Sequence, residues 1–335
     1  MQNQKPRIAV IGTGGSISTP ARHSLDLFEY GDYGKVIEVD ELLALFPVIG
    51  SQFDVIPVRF RALNSCAISP EDWLDLNRKV SEVVEGDPTI VGVVVSHGTA
   101  TLEETSYFLH LGLKTNVPVV VVGSQRPPNA LGSDAGINLV NALRVAASTA
   151  ARGLGVLVVM NDEVQSAREV TKAANFRLHA FRSPDCGVLG YADPDGTVAI
   201  YRRPTRRHAP NTEFEVRNLK HLPPVEIVYS YAGVDGRLIE AAVKNGNKGI
   251  IVAGMPPGLT SPAQRQAMIE ASRRSVLVVQ SSRAGSGRVG DRGINFEPGI
   301  IGADNLNPQK ARVLAMLALT VSEDRDNIRR VFREY

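Results

Sequence analysis

Three short segments of this 335-residue chain bring together side chains able to break a polar bond. The first is Ile8-Ala9-Val10-Ile11-Gly12-Thr13-Gly14-Gly15-Ser16. Glycines directly after an apolar run permit a tight turn and a close approach of backbone to ligand. The glycines then either serve tight packing alone or leave Ser16 exposed at the turn, a hydroxyl able to act on a substrate. A phosphate cradle does not fit, because GxxxxGK(S/T) is absent and GxGxxG lacks its third glycine. The second segment is Val94-Val95-Ser96-His97-Gly98-Thr99-Ala100-Thr101-Leu102-Glu103-Glu104. Backbone N–H groups where such a turn opens a helix can stabilise a negatively charged oxygen. Thr101 and Glu104 form a capping-box pattern, and His97 reads as a hydrogen-bonded turn residue. The third segment runs from Met160-Asn161-Asp162-Glu163 to Arg168-Glu169-Val170-Thr171-Lys172. A lysine just past a strand is ordinarily solvated. Lys172 gains chemistry only beside Thr99, where burial among hydroxyls lowers its pKa from about 10.4 toward neutrality and makes it a base.

The elements that must position these turns are legible as short apolar runs at 8–11, 90–95, 117–122, 154–160, 225–229, 249–253 and 275–279. Runs apolar on both faces read as buried parallel strands. Helix starts lie between them: Ser69-Pro70-Glu71-Asp72 precedes Trp73, Leu76, Val80 and Val84 at helical spacing, and Ser261-Pro262 repeats the signal. Alternating strands and helices predict a doubly wound α/β fold with a parallel sheet, whose ligands bind beyond the carboxyl ends of the strands. The regularity weakens after Cys186. Pro194-Asp195-Gly196 reads as a hairpin turn, and Arg202, Arg203, Arg206, Arg207 and His208 as a solvated linker. The expected division is a larger N-terminal catalytic domain over 1–200, a linker over 201–224 and a smaller α/β domain over 225–335. The Gly-rich stretch 284–299 reads as a surface or interface loop.

Composition narrows the function. Hydrophobic residues make up 43% and charged residues 21%, and Lys plus Arg number 37 against 35 Asp plus Glu. The formal net charge of +2 argues against nucleic acid or a membrane surface as partner, since either favours a basic face. Cys66 and Cys186 have no CxxC spacing, so neither a disulfide framework nor a zinc site is expected. No apolar run approaches the roughly 20 residues of a membrane span, and residues 1–7 lack a signal segment. The expected location is the cytoplasm, with a small molecule as partner and no cofactor or metal.

The motifs TGGS at 13–16, SHGTATLEETSYFL at 96–109, GSQRPPNALGSDAGINLVNAL at 123–143, VLVVMNDEVQSAREVTK at 156–172 and NLNPQKARVL at 305–314 resemble the bacterial-type L-asparaginases and glutaminases. The resemblance covers essentially the whole chain, in order. It implies that Ser16 stands where the family's TGGT motif has its threonine nucleophile, that Thr99 is the second essential threonine, and that Lys172 is the catalytic lysine. A lid over residues 19–36 would carry the family's tyrosine, as either Tyr30 or Tyr33. Ser65 and backbone near Gly98 would hold the substrate carboxylate, with Gly15, Asn64 and Ala100 lining the pocket. The resemblance also implies a homotetramer with sites near subunit interfaces.

The departures from the family pattern fall on one task. Ala100 replaces the aspartate of HGTDT, which holds the substrate α-ammonium and supports the Thr–Lys pair. Cys66 replaces a glutamine, and the segment 254–258 lacks a family asparagine. No counterpart of the neighbouring-subunit acid is evident in 288–298. Leaving a buried ammonium without its partner costs about 3–5 kcal/mol. The reading is therefore an amidohydrolase that cleaves the carboxamide or ureide of a small carboxylic acid without an α-ammonium, through a covalent acyl intermediate. Two alternatives stand: a true L-asparaginase in which Asp134 or Glu103 supplies the missing acid, and a catalytically inactive small-ligand sensor.

Overall fold

The computed structural model describes residues 5–33, 35–291 and 299–335, with Tyr33 described by its backbone only. The chain divides into two compact units, residues 1–212 and 213–335. The boundary lies inside the stretch 201–224, and its first half is docked on the first unit instead of running free. The Arg202 guanidinium pairs with Glu169 and donates to Val188 O at 2.9 Å, while His208 stacks on His110 with ring centroids 5.2 Å apart. Apolar and hydrogen-bonding surface on 110, 169 and 188, distant in sequence, decides this placement. Charge composition alone does not reveal it.

The strands of the first unit are β1 (Arg7–Gly14), β2 (Asp54–Leu63), β3 (Ile90–Ser96), β4 (Val119–Val122), β5 (Val156–Met160), β6 (Glu163–Ser166), β7 (Thr171–Lys172), β8 (Phe181–Arg182), β9 (Gly190–Ala192) and β10 (Val198–Ile200). Eight of them form one sheet in the order β10-β9-β6-β5-β4-β3-β1-β2, and β7 pairs separately with β8. The run from β2 to β5 is parallel, and β6, β9 and β10 are antiparallel. The parallel strands at 90–96, 119–122 and 156–160 are almost wholly buried, as unbroken Val-rich runs require when helices cover both faces. The apolar-run reading omits β2. At the sheet edge its Pro57, Arg59 and Arg61 face out between half-buried residues, so it reads as alternation.

The helices of this unit are α1 (Tyr30–Tyr33), α2 (Val39–Ala44), α3 (Ile49–Gln52), α4 (Pro70–Gly86), α5 (Leu102–Gly112) and α6 (Ala135–Ala147). Ser69 caps α4 as its sequence predicts: its Oγ accepts the Asp72 N–H at 3.3 Å, and the Asp72 carboxylate accepts the Ser69 N–H at 2.9 Å. Packed between helices and sheet is a core that includes Ile8, Val10, Val94, Val120, Leu139 and Val159. Each such side chain contributes about 1.5–3 kcal/mol by leaving water.

The order β2-β1-β3-β4-β5 reverses direction between β1 and β3. Such a reversal opens a crevice at the carboxyl ends of the two strands flanking it. Those ends carry Thr13–Ser16 and Ser96–Thr99 respectively, so the topology alone brings the first two chemical segments to one place.

The second unit is a parallel sheet in the order β11 (Val225–Tyr229), β12 (Gly249–Gly254), β13 (Leu277–Ser282) and β14 (Ile300–Gly302). Its helices are α7 (Arg237–Lys244), α8 (Pro262–Arg273), α9 (Pro308–Val321) and α10 (Arg325–Glu334). Ser261 caps α8, accepting the Gln264 N–H at 3.1 Å. Of the stretch read as a loop over 284–299, residues 292–298 lie outside the described residues. Among the described residues, no helix is long and apolar enough to cross a membrane.

Candidate active site

Two glycines set the geometry. Gly14 and Gly15 hold φ of 90° and 82°, a left-handed conformation that side chains disfavour. A Cβ on Gly15 would strike the Gly98 backbone, and one on Gly98 would lie 2.5 Å from Ser65 Oγ and 2.8 Å from Gly15 Cα. The turns after β1 and β3 therefore meet backbone to backbone, and the Ser65 side chain from the turn after β2 packs on Gly98, at distances only glycine permits. The Gly15 N–H donates to Leu63 O at 3.0 Å, which fastens the first turn to the end of β2.

Around this contact the polar groups are ordered. Thr13 Oγ1 donates to Ser96 O (2.9 Å) and Thr19 Oγ1 to Gly15 O (2.9 Å). Ser65 is buried, and its Oγ accepts the Ala100 N–H at 3.3 Å. Thr101 departs from its expected role. Its side chain does not cap α5; Oγ1 donates instead to Ser65 O at 2.9 Å. The carbonyl of a neighbouring turn outcompetes the helix N–H groups, so a capping pattern becomes a tie between β2 and α5. Asn64 is exposed, and its Oδ1 accepts the Cys66 N–H at 3.2 Å, which makes it the cap of the short turn Ser65–Ala67.

Lys172 meets the condition set for it. Its Nζ lies 2.7 Å from Thr99 Oγ1, and its main-chain N–H donates to Glu103 Oε1 at 3.3 Å. Burial lowers the Lys172 pKa below the usual amine range, opposed by the neighbouring Cys66 thiol and the Glu103 carboxylate. A half-buried amine thus donates to the hydroxyl of a 5%-exposed threonine, the contact that a proton transfer between the two would need. Ser16 is half-buried at the start of its own short helical turn, and its hydroxyl has no hydrogen-bond partner among the described residues.

His97 is fully buried. Its Nδ1 lies 2.7 Å from Gly98 O, and burial pulls its pKa down to about 4. It is a neutral turn residue, as its sequence position suggests. Asp134, weighed as a substitute for the missing aspartate, is engaged elsewhere. Its carboxylate accepts the Gln125 N–H (2.9 Å), the Arg126 N–H (3.0 Å) and Asn138 Nδ2–H (3.0 Å). Ala100 is exposed.

The loop over 19–36 is fastened at its base and open at its tip. Ala21 and Asn129 exchange two hydrogen bonds of 2.7 and 2.8 Å, and the Leu131 N–H donates to Ser24 O at 2.7 Å. Farther along, Leu25 is 68% and Phe28 76% exposed, with the Phe28 ring 5.8 Å from that of Phe176. Tyr30 is half-buried in α1, whereas the Tyr33 side chain lies outside the described residues. Sequence reasoning misses the Gly15–Gly98 contact and the Asn129 clasp. Both join segments with no local pattern in common, although paired glycines at two strand ends were a usable signal for the first. The segment 254–258 belongs to the second unit, where the Met255 N–H donates to Leu259 O at 2.7 Å. Among the described residues no His, Cys, Asp and Glu side chains cluster as a metal site.

Residues 7–206 match the family described as Asparaginase, N-terminal, and residues 224–332 match the Glutaminase/Asparaginase C-terminal domain. L-asparaginase 2 of Bacillus subtilis is 38% identical over 330 residues, spanning 98% of this chain and 87% of that protein. The glutaminase-asparaginase of Pseudomonas fluorescens is 37% identical over 332 residues, 98% of this chain and 90% of its own. In structure, the probable cytoplasmic L-asparaginase from Campylobacter jejuni superposes with a TM-score of 0.94 at 38% identity, covering 99% of this chain and 100% of that one. The chain belongs to the asparaginase family and is an amidohydrolase acting on linear amides.

Proposed function

We propose that this amidohydrolase cleaves the carboxamide or ureide of a small carboxylic acid that lacks an α-ammonium. Ser16 Oγ attacks the amide carbon, the C–N bond breaks, and ammonia or an amine leaves, so the acyl group rests on Ser16. The Thr99–Lys172 pair then activates the water that returns the acid. A lid tyrosine, Tyr30 or Tyr33, covers the site, while Ser65 and backbone at Gly15 and Gly98 receive the substrate carboxylate. Asn64 acts here by shaping the turn that carries Ser65.

The observation that carries this reading is the methyl group of Ala100, exposed one residue beyond Thr99. An ammonium there has no carboxylate from position 100, and Asp134 is occupied by backbone donors. The penalty depends on cover. It is near zero at an open mouth and about 3–5 kcal/mol once a lid excludes water. A second reading, L-asparagine as substrate, is favoured by one specific observation: relatives 37–38% identical are named L-asparaginase and glutaminase-asparaginase. We also place the protein in the cytoplasm as a homotetramer with sites near subunit interfaces. The family resemblance and the cytoplasmic designation of the Campylobacter jejuni neighbour support this, and a monomer of full activity in light scattering would remove the tetramer.

The deciding experiment compares kcat/KM for succinamate and L-asparagine in wild type and Ala100→Asp. The ratio cancels general damage to the enzyme. Wild type should prefer succinamate, and Ala100→Asp should shift the ratio toward asparagine. A wild-type preference for L-asparagine overturns the first reading in favour of the second, and failure to release ammonia from any amide leaves an inactive sensor.

A further inference from the structure

Of the two glutamates in the first turn of α5, Glu103 is 6% exposed. A carboxylate is buried at a helix N-terminus at lower cost than elsewhere, because the helix dipole and nearby N–H groups favour it. Here one such group is the main-chain N–H of Lys172, 3.3 Å from Glu103 Oε1. The same lysine's Nζ lies 2.7 Å from Thr99 Oγ1. Glu103 therefore binds the strand that supplies the amine, from the helix that follows the turn supplying the hydroxyl.

We propose that Glu103 is the positioning carboxylate of the Thr99–Lys172 pair, the anion this chain uses where position 100 offers only a methyl group. The proposal rests on the proposed role of that pair. Two effects follow from the placement. The contact to the Lys172 N–H fixes β7 against α5, which holds Nζ within reach of Thr99. The negative charge also keeps the amine basic. Two titratable groups act on Lys172 against its burial: the Cys66 thiol, from the turn after β2, and Glu103, from α5. A base works best with its pKa near the operating pH. Burial with less opposing charge would make Lys172 neutral but a weaker acceptor for the Thr99 proton. Asp134 does not compete for the role, because its carboxylate is committed to the Gln125–Arg126 turn and Asn138.

The test is the pH profile of kcat in Glu103→Gln, on the best amide substrate. Glutamine keeps the shape and an oxygen able to accept the Lys172 N–H, and removes only the charge. The active form of Lys172 is neutral, so activity is lost as pH falls through its pKa. Removing the anion lowers that pKa. The acid limb should move to lower pH by about 1 unit, and the plateau kcat should fall roughly threefold as the base weakens. Ala100→Asp in the same background should bring the limb back. An acid limb in Glu103→Gln that coincides with wild type overturns the proposal. Glu103→Asp separates charge from reach and serves if Glu103→Gln does not fold. Its limb should stay within a few tenths of a unit of wild type while kcat falls, and an unchanged limb with an unchanged kcat counts against positioning. Lys172→Met distinguishes the levels of failure. If it turns over at the wild-type rate, the pair and Glu103 fall together. If it is dead while the Glu103→Gln limb is unmoved, Glu103 alone falls.

Discussion

The turns ending β1 and β3 touch at Gly15 and Gly98, yet they hold their hydroxyls in opposite ways. Thr99 is buried and its Oγ1 is bonded to Lys172 at 2.7 Å. Ser16 is half-buried and has no partner among the described residues. The loop that would cover Ser16 exposes Leu25 and Phe28 to water, whereas the neighbours of Thr99 are fixed by hydrogen bonds involving the Ser65 turn, α5 and β7. One hydroxyl is fixed by the chain's own hydrogen bonds, and on the proposed reading the other is completed by substrate and lid. Preorganisation of this kind lowers the barrier of the step that uses it, because no reorganisation remains to be done. The open turn, in turn, leaves a path for the amide to enter.

Breaking either turn should have the largest effect. Ser16→Ala removes the attacking oxygen and should cut kcat by about 10³-fold or more with the fold intact. Thr99→Val and Lys172→Met should each cost about 10²–10⁴-fold, the usual worth of proton transfer. The sharper outcome is chemical. If Thr99 and Lys172 act on the second step, Thr99→Val should accumulate an acyl group on Ser16, visible in intact-mass spectrometry during turnover. A dead Thr99→Val enzyme with no mass increase would assign the first attack to Thr99 and reverse the division of labour. Ser16→Ala combined with Thr99→Val should be little worse than either alone, since residues acting as a unit are not additive.

The unequal treatment of the two turns also explains what the sequence made legible. Strands β3, β4 and β5 stand out because burial on both faces writes an unbroken Val-rich string. The Ser69 and Ser261 caps stand out because capping is local. Ser16, Thr99 and Lys172 take their roles from the family resemblance, whereas residue type and position leave Lys172 an ordinary solvated lysine unless Thr99 lies beside it, and the 2.7 Å contact joins residues 73 apart. No local rule contains it. Edge strand β2 was missed because Arg59 and Arg61 interrupt its apolar residues. The Thr101 cap was misassigned because a capping pattern says nothing of the Ser65 carbonyl that takes its hydroxyl.

The contact between the turns can be tested directly. Gly98→Ala puts a methyl 2.5 Å from Ser65 Oγ and 2.8 Å from Gly15 Cα, so backbone must move. Overpacking of this kind costs about 1–3 kcal/mol, and displacement of the reacting groups by about 1 Å can cost 10²-fold in kcat. Gly86→Ala, at the end of α4 with nothing within 4 Å, is the matched control and should leave both unchanged or slightly improved. Equal urea midpoints and equal kcat for Gly98→Ala and wild type would show that the turns do not need their close approach.

His97, buried in the second turn, makes that region sensitive to acid. Its pKa falls from 6.5 to about 4 because burial disfavours the imidazolium. The unfolded chain thus binds a proton here that the folded chain refuses. Its contribution is fully present above about pH 6.5 and is lost progressively down to about pH 4, for a total of about 3 kcal/mol. Between pH 6.5 and 5, above the usual range of carboxylates, wild type should lose stability in urea titrations. His97→Asn should flatten that slope, and a slope identical to wild type would place the acid sensitivity elsewhere.

The smallest effect tests the seam between the Ser65 turn and α5. Thr101 donates to Ser65 O at 2.9 Å and makes no side-chain cap on the helix. Thr101→Val removes one hydrogen bond, worth about 1 kcal/mol, but a lost cap would cost the same. Thr101→Asp separates the two roles. Aspartate is a strong N-cap and suits the positive end of a helix, yet an ionised carboxylate cannot donate to a carbonyl. If Thr101 were a cap, Thr101→Asp would match or exceed wild-type stability. As a tie it should be less stable by about 1 kcal/mol and bring two acceptors face to face. Because Ser65 Oγ accepts the Ala100 N–H beside the Thr99–Lys172 pair, loosening Ser65 should also raise KM more than it lowers kcat. Thr101→Ser keeps the donor and should behave as wild type in both measurements. An aspartate variant as stable as wild type with an unchanged KM would make Thr101 an ordinary cap, and the Ser65 turn would then be held to the start of α5 through the Ala100 N–H.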